Sequence, residues 1–181
     1  EEKRPLLWVE AAARVSKRRP DAHFVVFGTG PLRTEMEHLA RKYDLEARLH
    51  LPGTTDNAPL AISSMDVFML TSMFEGTPNV VLEAQLLGVP VVATEAGGTR
   101  EAIDVNVTGW IVTGARPEAL AERVLSVLDD PSWRVRASRA GPEFVAARFG
   151  LERMVEETLA LYGTLESCAD RAKPRDATTA L

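Results

Sequence analysis

The sequence predicts an α/β fold, a mostly parallel sheet with helices on both faces. Two observations carry this. Short β-branched and aromatic runs, such as residues 23–27, 67–70 and 89–93, end in turn residues, and between them lie stretches whose apolar residues recur at helical spacing. Strands that alternate with helices pair in parallel, because parallel neighbours need crossovers and the crossover helices then cover both faces. The composition permits it: 181 residues, 45% hydrophobic and 26% charged, suffice for a packed core and are unlike a disordered chain.

The elements follow in order. Pro5 opens a helix in which Leu6, Leu7, Ala11 and Val15 recur at helical spacing, ending near Pro20. His23 to Phe27 reads as a strand closing on Gly28-Thr29-Gly30-Pro31. Leu32, Met36, Leu39, Ala40 and Tyr43 then share one helical face, with Arg33, Glu35, Glu37 and Arg41 outside it. Strands are expected at 48–51, 67–70, 89–93 and 110–112, separated by helices over 59–64, 78–87, 99–103 and 117–129. Beyond Pro131 three consecutive helices are expected, over 133–139, 142–148 and 151–162, the last with Leu151, Met154, Val155, Leu159 and Tyr162 on one face. Residues 164–181 lack apolar periodicity and are read as a disordered tail, leaving one domain over 1–163. An alternating sheet normally starts with a strand, so the leading helix predicts a strand upstream of Glu1; a fold that simply leads with a helix is the alternative.

Charge and composition exclude several classes of function. With 26 acidic against 21 basic residues the formal charge is −5, so no nucleic-acid partner is expected and an anionic ligand must be held by local geometry. Cys168 is the single cysteine, no apolar run approaches the length of about 18 residues that suggests a spanning helix, and no signal segment opens the chain. A cytoplasmic protein is expected. His23 and His50 fall in or at strands and His38 on a charged helix face, and no His, Cys or carboxylate cluster has metal-ligand spacing, so neither a metal nor a bound cofactor is expected.

Ligands of open parallel sheets bind outside the carboxyl ends of the strands. After the first strand, Gly28-Thr29-Gly30-Pro31 matches the dinucleotide fingerprint only in part, since Arg33 stands where its third glycine would be. A plain tight turn and a ligand-lining turn both fit. After residues 67–70 the chain reads Thr71-Ser72-Met73-Phe74-Glu75-Gly76-Thr77-Pro78-Asn79-Val80-Val81-Leu82-Glu83-Ala84. Thr77 is the expected N-cap and Pro78 the first helical residue, which would aim free amides at an anion such as phosphate. Apart from Glu83 and Gln85 this helix is apolar on nearly every side, so Glu83 is expected to be buried and to need donors. Glu75 and Glu83, flanking an anion-binding helix end, suit the hydroxyls on either side of a diphosphate, which describes a nucleotide sugar. Alternatively, Glu83 neutralises a buried basic residue and Glu75 is a solvated loop residue. Trp8, Trp110 and Trp133 are read as core or rim residues, Asp129-Asp130 as a helix end, and Gly97 to Glu101 either as a cleft border or as a turn into a helix starting at Thr99.

The ordered set Phe74-Glu75-Gly76-Thr77-Pro78-Asn79-Val80-Val81-Leu82-Glu83-Ala84, Gly88-Val89-Pro90-Val91-Val92-Ala93-Thr94, Gly97-Gly98, Glu101 and Thr108-Gly109 resembles the carboxyl-terminal domain of retaining glycosyltransferases of family four, also called group one. Glu2-Lys3-Arg4, the stretch from Val26 to Arg33 and Phe149-Gly150-Leu151-Glu152 are similar to it too. The resemblance implies the Rossmann-like, donor-binding half of a GT-B fold, with the acceptor-binding N-terminal domain, and any peripheral membrane contact, outside this chain. It implies that Lys3 meets the donor diphosphate without metal, that Glu75 faces the donor sugar and that Glu83 bonds the ribose. Lys3 and Glu75 would then be the catalytic pair. Backbone from Gly76 through Thr77, Pro78 and Asn79 to Val80 would meet sugar and phosphates, the loop carrying Thr55 and Asn57 would line the base, and Gly28 and Gly30 would lie beside the nucleotide. The implied activity is transfer of a sugar from a nucleotide sugar. A sugar-nucleotide epimerase and a donor-binding subunit that needs a partner chain are the alternatives.

Overall fold

The computed structural model describes residues 2–171, with side chains described to residue 164. Helix α1 (Pro5–Arg18) leads. It is followed by β1 (Phe24–Phe27), α2 (Arg33–Lys42), β2 (Leu49–Gly53), α3 (Ala58–Ser63), β3 (Phe68–Leu70), α4 (Asn79–Leu86), β4 (Val91–Thr94), a 3₁₀ turn (Gly97–Arg100), β5 (Gly109–Val112) and α5 (Pro117–Asp129). The strands pair in parallel as two sheets, β1-β2 and β3-β4-β5.

Two apolar cores flank the strands. On one side α1, α2 and α5 bring Val9, Val15, Met36, Ala40, Leu120 and Leu125 against Phe24, Leu49, Val92 and Val112. On the other, α3 and α4 bring Ile62, Val81 and Ala84 against Leu70, Val91 and Ala93. Val92 belongs to one core and its neighbours Val91 and Ala93 to the other, the period of two that makes a fully covered strand apolar at every position. All four residues of β4 are buried.

The chain divides into two compact units, Glu1–Val145 and Ala146–Leu181. Two separate helices were expected over 133–148, but α6 (Pro131–Phe149) is continuous through Pro142. Ala137, Gly141 and Val145 form one buried line at a spacing of four, so packing spans the position where proline removes a donor. Helix α7 (Leu151–Arg171) carries the expected apolar residues Leu151, Met154, Val155, Leu159 and Tyr162, all exposed. It continues into the segment expected to be a disordered tail, whose remainder, 172–181, lies outside the described residues. No helix among the described residues is long and apolar enough to cross a membrane.

Candidate functional site

The carboxyl end of β3 is where the site assembles. Thr71 and Ser72 are buried there, and the opening residues of the chain lie against them. Met73 N donates to Glu2 O at 2.7 Å, and Thr71 Oγ1 lies 2.9 Å from Lys3 O and 3.1 Å from Arg4 O. These bonds fix a chain that turns through Arg4, whose φ of 46° is costly for a residue with a Cβ, before Pro5 starts α1. From the other side Thr94 Oγ1, at the end of β4, donates to Ser72 O at 2.7 Å.

Lys3 Nζ stands 2.7 Å from Glu75 Oε1, so the two residues expected to share a catalytic role meet directly. Burial pushes the Glu75 carboxyl up, but the Lys3 hydrogen bond, the Ser72 hydroxyl and the Lys3 charge outweigh it and hold the pKa below the usual glutamate value. Ser72 Oγ is buried beside the carboxylate. Glu75 is thus not a solvated loop residue; its side chain is 12% exposed against 68% for Lys3.

The loop position is set by residues that sequence reasoning left undecided. Gly98 N donates to Glu75 O at 3.1 Å, and a Cβ on Gly97 or Gly98 would overlap the carbonyl oxygen of Glu75 or Gly76 respectively. Two adjacent glycines after a buried strand were the available signal, but only the contact across the loops shows their purpose. Thr99, expected to cap a helix, instead donates its hydroxyl to Ala96 O at 2.7 Å inside the 3₁₀ turn.

Helix α4 begins one residue later than expected. Pro78, not Thr77, is the N-cap, with an extended ψ of 97°, and its carbonyl accepts from Val81 N at 2.9 Å. The amides of Asn79 and Val80 therefore stand ahead of the helical ladder. Glu83 corrects a second expectation: it is exposed, while Gln85 is the buried polar residue of α4. An eight-residue helix packed on one side leaves Glu83 toward open space, and no ion pair joins it to a basic residue among the described side chains. Gln85 Nε2 donates to Val81 O and to Ala102 O, tying α4 to the segment after the 3₁₀ turn.

Lys3, Thr55, Val80 and Glu83 line one cavity of about 680 Å³. The other expected residues lie apart from its lining. Asn57 spends its side chain as the N-cap of α3, Oδ1 accepting from Leu60 N at 3.1 Å, and its own amide donates to Thr55 Oγ1. Gly28 has a φ of 119° and donates its amide to Gly53 O at 2.7 Å, which explains a glycine there without any ligand. Gly30 has open space where a Cβ would be. No group of three His, Cys, Asp or Glu side chains able to hold a metal ion occurs among the described residues.

A family profile described as glycosyl transferases group 1 matches residues 1–144. Among curated relatives, the D-inositol 3-phosphate glycosyltransferase of Arthrobacter sp. is 36% identical, covering 88% of this chain and 39% of its own length. The Vi polysaccharide biosynthesis protein VipC/TviE of Salmonella typhi is 34% identical, over 85% of this chain and 27% of its own. The chain spans between 27% and 45% of the length of the curated relatives it matches. Among solved structures, the fold matches a mutant of S. aureus TarM in complex with fondaparinux, alpha-GlcNAc-glycerol and UDP at a TM-score of 0.83 and 22% identity, over 90% of this chain and 33% of that one. It matches the C-terminal domain of a group 1 family glycosyl transferase, LpcC of Francisella tularensis, at 0.76 and 23% identity, over 83% of this chain and 81% of that one.

Proposed function

The chain belongs to the glycosyl transferases of group 1, and on that premise we propose that it is the donor-binding part of a retaining enzyme that transfers a sugar from a nucleotide sugar. The observation that carries the reading is the Lys3–Glu75 pair at 2.7 Å, beside the start of α4 and at the end of β3. A cation already paired to a carboxylate is a site where a diphosphate can compete. When phosphate oxygens take Lys3 and the amides of Asn79 and Val80, Glu75 is released as an acceptor for hydroxyls of the donor sugar. Its depressed pKa keeps it ionised at neutral pH, so it accepts and does not donate.

Glu83, exposed on α4 and lining the same cavity, would accept from the ribose, with Thr55 toward the base. Charge growing on the leaving diphosphate would be stabilised by Lys3 and the amides, without metal. An acceptor-binding domain outside this chain would supply the other wall of the cleft, in keeping with the fraction of its relatives that the chain spans. Structural neighbours have UDP in their crystals, TarM among them, which makes a uridine nucleotide the first to try.

The test is a thermal-shift panel of UDP, GDP, ADP and dTDP. A ligand that binds only the folded state stabilises it by about 2.7 kcal/mol at a hundredfold excess over Kd. At least one diphosphate should raise Tm and its free nucleoside should raise it much less. No shift with any of the four at millimolar concentration would refute the reading.

A further inference from the structure

We infer that a pocket at the amino ends of β3 and β4 is a second anion site, one that takes a phosphate group. It lies at the other end of these strands from the Lys3–Glu75 pair and measures about 370 Å³. Asp66 stands in the turn before β3, Gly88 in the turn before β4, and Arg134, Ser138 and Arg139 in the first half of α6. Gly88, Arg134, Ser138 and Arg139 line this pocket and not the cavity that Lys3 and Glu83 line; Asp66 borders both.

The pocket has more donors than acceptors. Arg134 Nη1 donates to Asp66 Oδ1 at 2.8 Å, a single contact to a side chain that is 73% exposed, so solvent screens the pair and little holds it closed. Arg134 Nε is buried and has no partner among the described residues, a desolvated donor that calls for an acceptor. The Arg139 guanidinium and the Ser138 hydroxyl also make no hydrogen bond or ion pair among the described residues. Asp66 is the one carboxylate of the lining, against two guanidinium groups, in a chain whose formal charge is −5.

The sequence of α6 accounts for this surface. The helix carries Arg134, Arg136, Arg139 and Arg148 against Glu143 alone, so it is basic within an acidic chain. Arg134 and Ser138 are four residues apart and so lie one turn above the other, with Arg139 beside them. Gly88 sets how close this face comes to the turn before β4: its φ is 73°, and a Cβ there would stand 2.6 Å from Ser138 Oγ. Two guanidinium groups and a hydroxyl lining one pocket suit a tetrahedral anion, whose oxygens accept from several directions. A planar carboxylate is satisfied by one arginine fork.

The test titrates the full chain with inorganic phosphate and with glycerol 3-phosphate at constant ionic strength, chloride being the control, and follows backbone amide signals by NMR. Gly88 and Ser138 should shift saturably with either phosphate and not with chloride. Arg139→Ala and Ser138→Ala should each weaken that binding on the order of tenfold, the loss of one hydrogen bond to a charged group. Arg139 is exposed and bonded to nothing among the described side chains, so its removal leaves the fold in place. Arg136→Ala, on the same helix but outside the pocket, should leave the binding unchanged. Co-sedimentation with vesicles of phosphatidylcholine and phosphatidylglycerol, lost in Arg139→Ala, would place the phosphate on a lipid headgroup; binding in solution alone would make it a free phosphate or its ester, and either supports the inference. Absence of both would overturn it, as would equal losses from Arg136→Ala and Arg139→Ala, which would mean diffuse attraction to a basic helix. Lys3→Ala should leave the Gly88 and Ser138 shifts as they are, so the outcome is independent of donor binding.

Discussion

The loops after β1 and β3 each follow the carboxyl end of a strand in a parallel sheet, yet they are built differently. After β1, Gly28 to Pro31 is held by the bond from Gly28 N to Gly53 O and the turn bond from Arg33 N to Gly30 O at 3.3 Å. After β3, the loop is tied to the opening residues, to the end of β4 and to the 3₁₀ turn, by Glu2, Thr94 and Gly98. The difference teaches that the β3 loop is positioned by three separate segments of the chain, whereas the β1 turn is held by the adjacent strand β2 and by its own turn bond. The more loops converge, the less substitution the backbone tolerates.

The largest expected effect breaks the comparison at its glycines. Gly97 has a φ of 52° and its missing Cβ is what lets the Glu75 carbonyl approach. Gly97→Ala should therefore cost about 3 kcal/mol, combining left-handed strain and overpacking. Gly30→Ala, which meets nothing, should stay within about 0.5 kcal/mol. Chemical denaturation of both variants measures this directly. Similar losses at the two positions would mean the β3 loop is no more constrained than the β1 turn.

Next comes Glu83, which separates a ligand role from a structural one. If its carboxylate accepts from ribose hydroxyls, wild type should favour a ribonucleoside diphosphate over the 2′,3′-dideoxy form by on the order of 1.5 to 3 kcal/mol. Glu83→Gln should bind both forms weakly and discriminate little. Being exposed and in no ion pair among the described side chains, Glu83 should leave the Tm of the ligand-free protein unchanged on substitution. Retained discrimination in the variant, read by titration calorimetry, would remove Glu83 from the ribose site.

Which parts were legible follows the same division. Helix α5 over Pro117–Asp129 was readable to the residue, because Pro117 starts it and its apolar face is complete within the segment. So was the alternation of strands and helices, since burial on both faces leaves an apolar run at β4. The pairing of Lys3 with Glu75 was not, because residues so far apart in sequence carry no local signal of contact. Glu83 misled for a physical reason: an apolar helix reads as buried all round, while the fold covers α4 on one side only and opens a cavity on the other. Asn57 showed the converse, a polar residue in a loop at the strand end whose oxygen is consumed by the α3 cap.

The smallest effect tests whether the ion pair itself stabilises the β3 loop. Glu75 has a folded-state pKa below its ordinary value, since Lys3 and Ser72 together overcome burial. The unfolded chain then binds the proton more readily, and stability rises with pH. That contribution is full above about pH 4.3, the ordinary glutamate value, and is lost as pH falls through the lower folded pKa. Glu75→Gln should thus lower Tm slightly at pH 7 and approach wild type as the pH falls through the lowered folded pKa, so the two curves converge on acidification. Because Lys3 is mostly exposed, solvent screens the pair and the separation at pH 7 should shrink further in 1 M salt. Asp21 and Asp130 also have depressed pKa values, but both proteins share them, so they cancel in the difference between the curves. A gap that stays constant from pH 7 to pH 3 would mean that Glu75 holds the loop by shape and hydrogen bonding alone, and that its charge is reserved for the ligand.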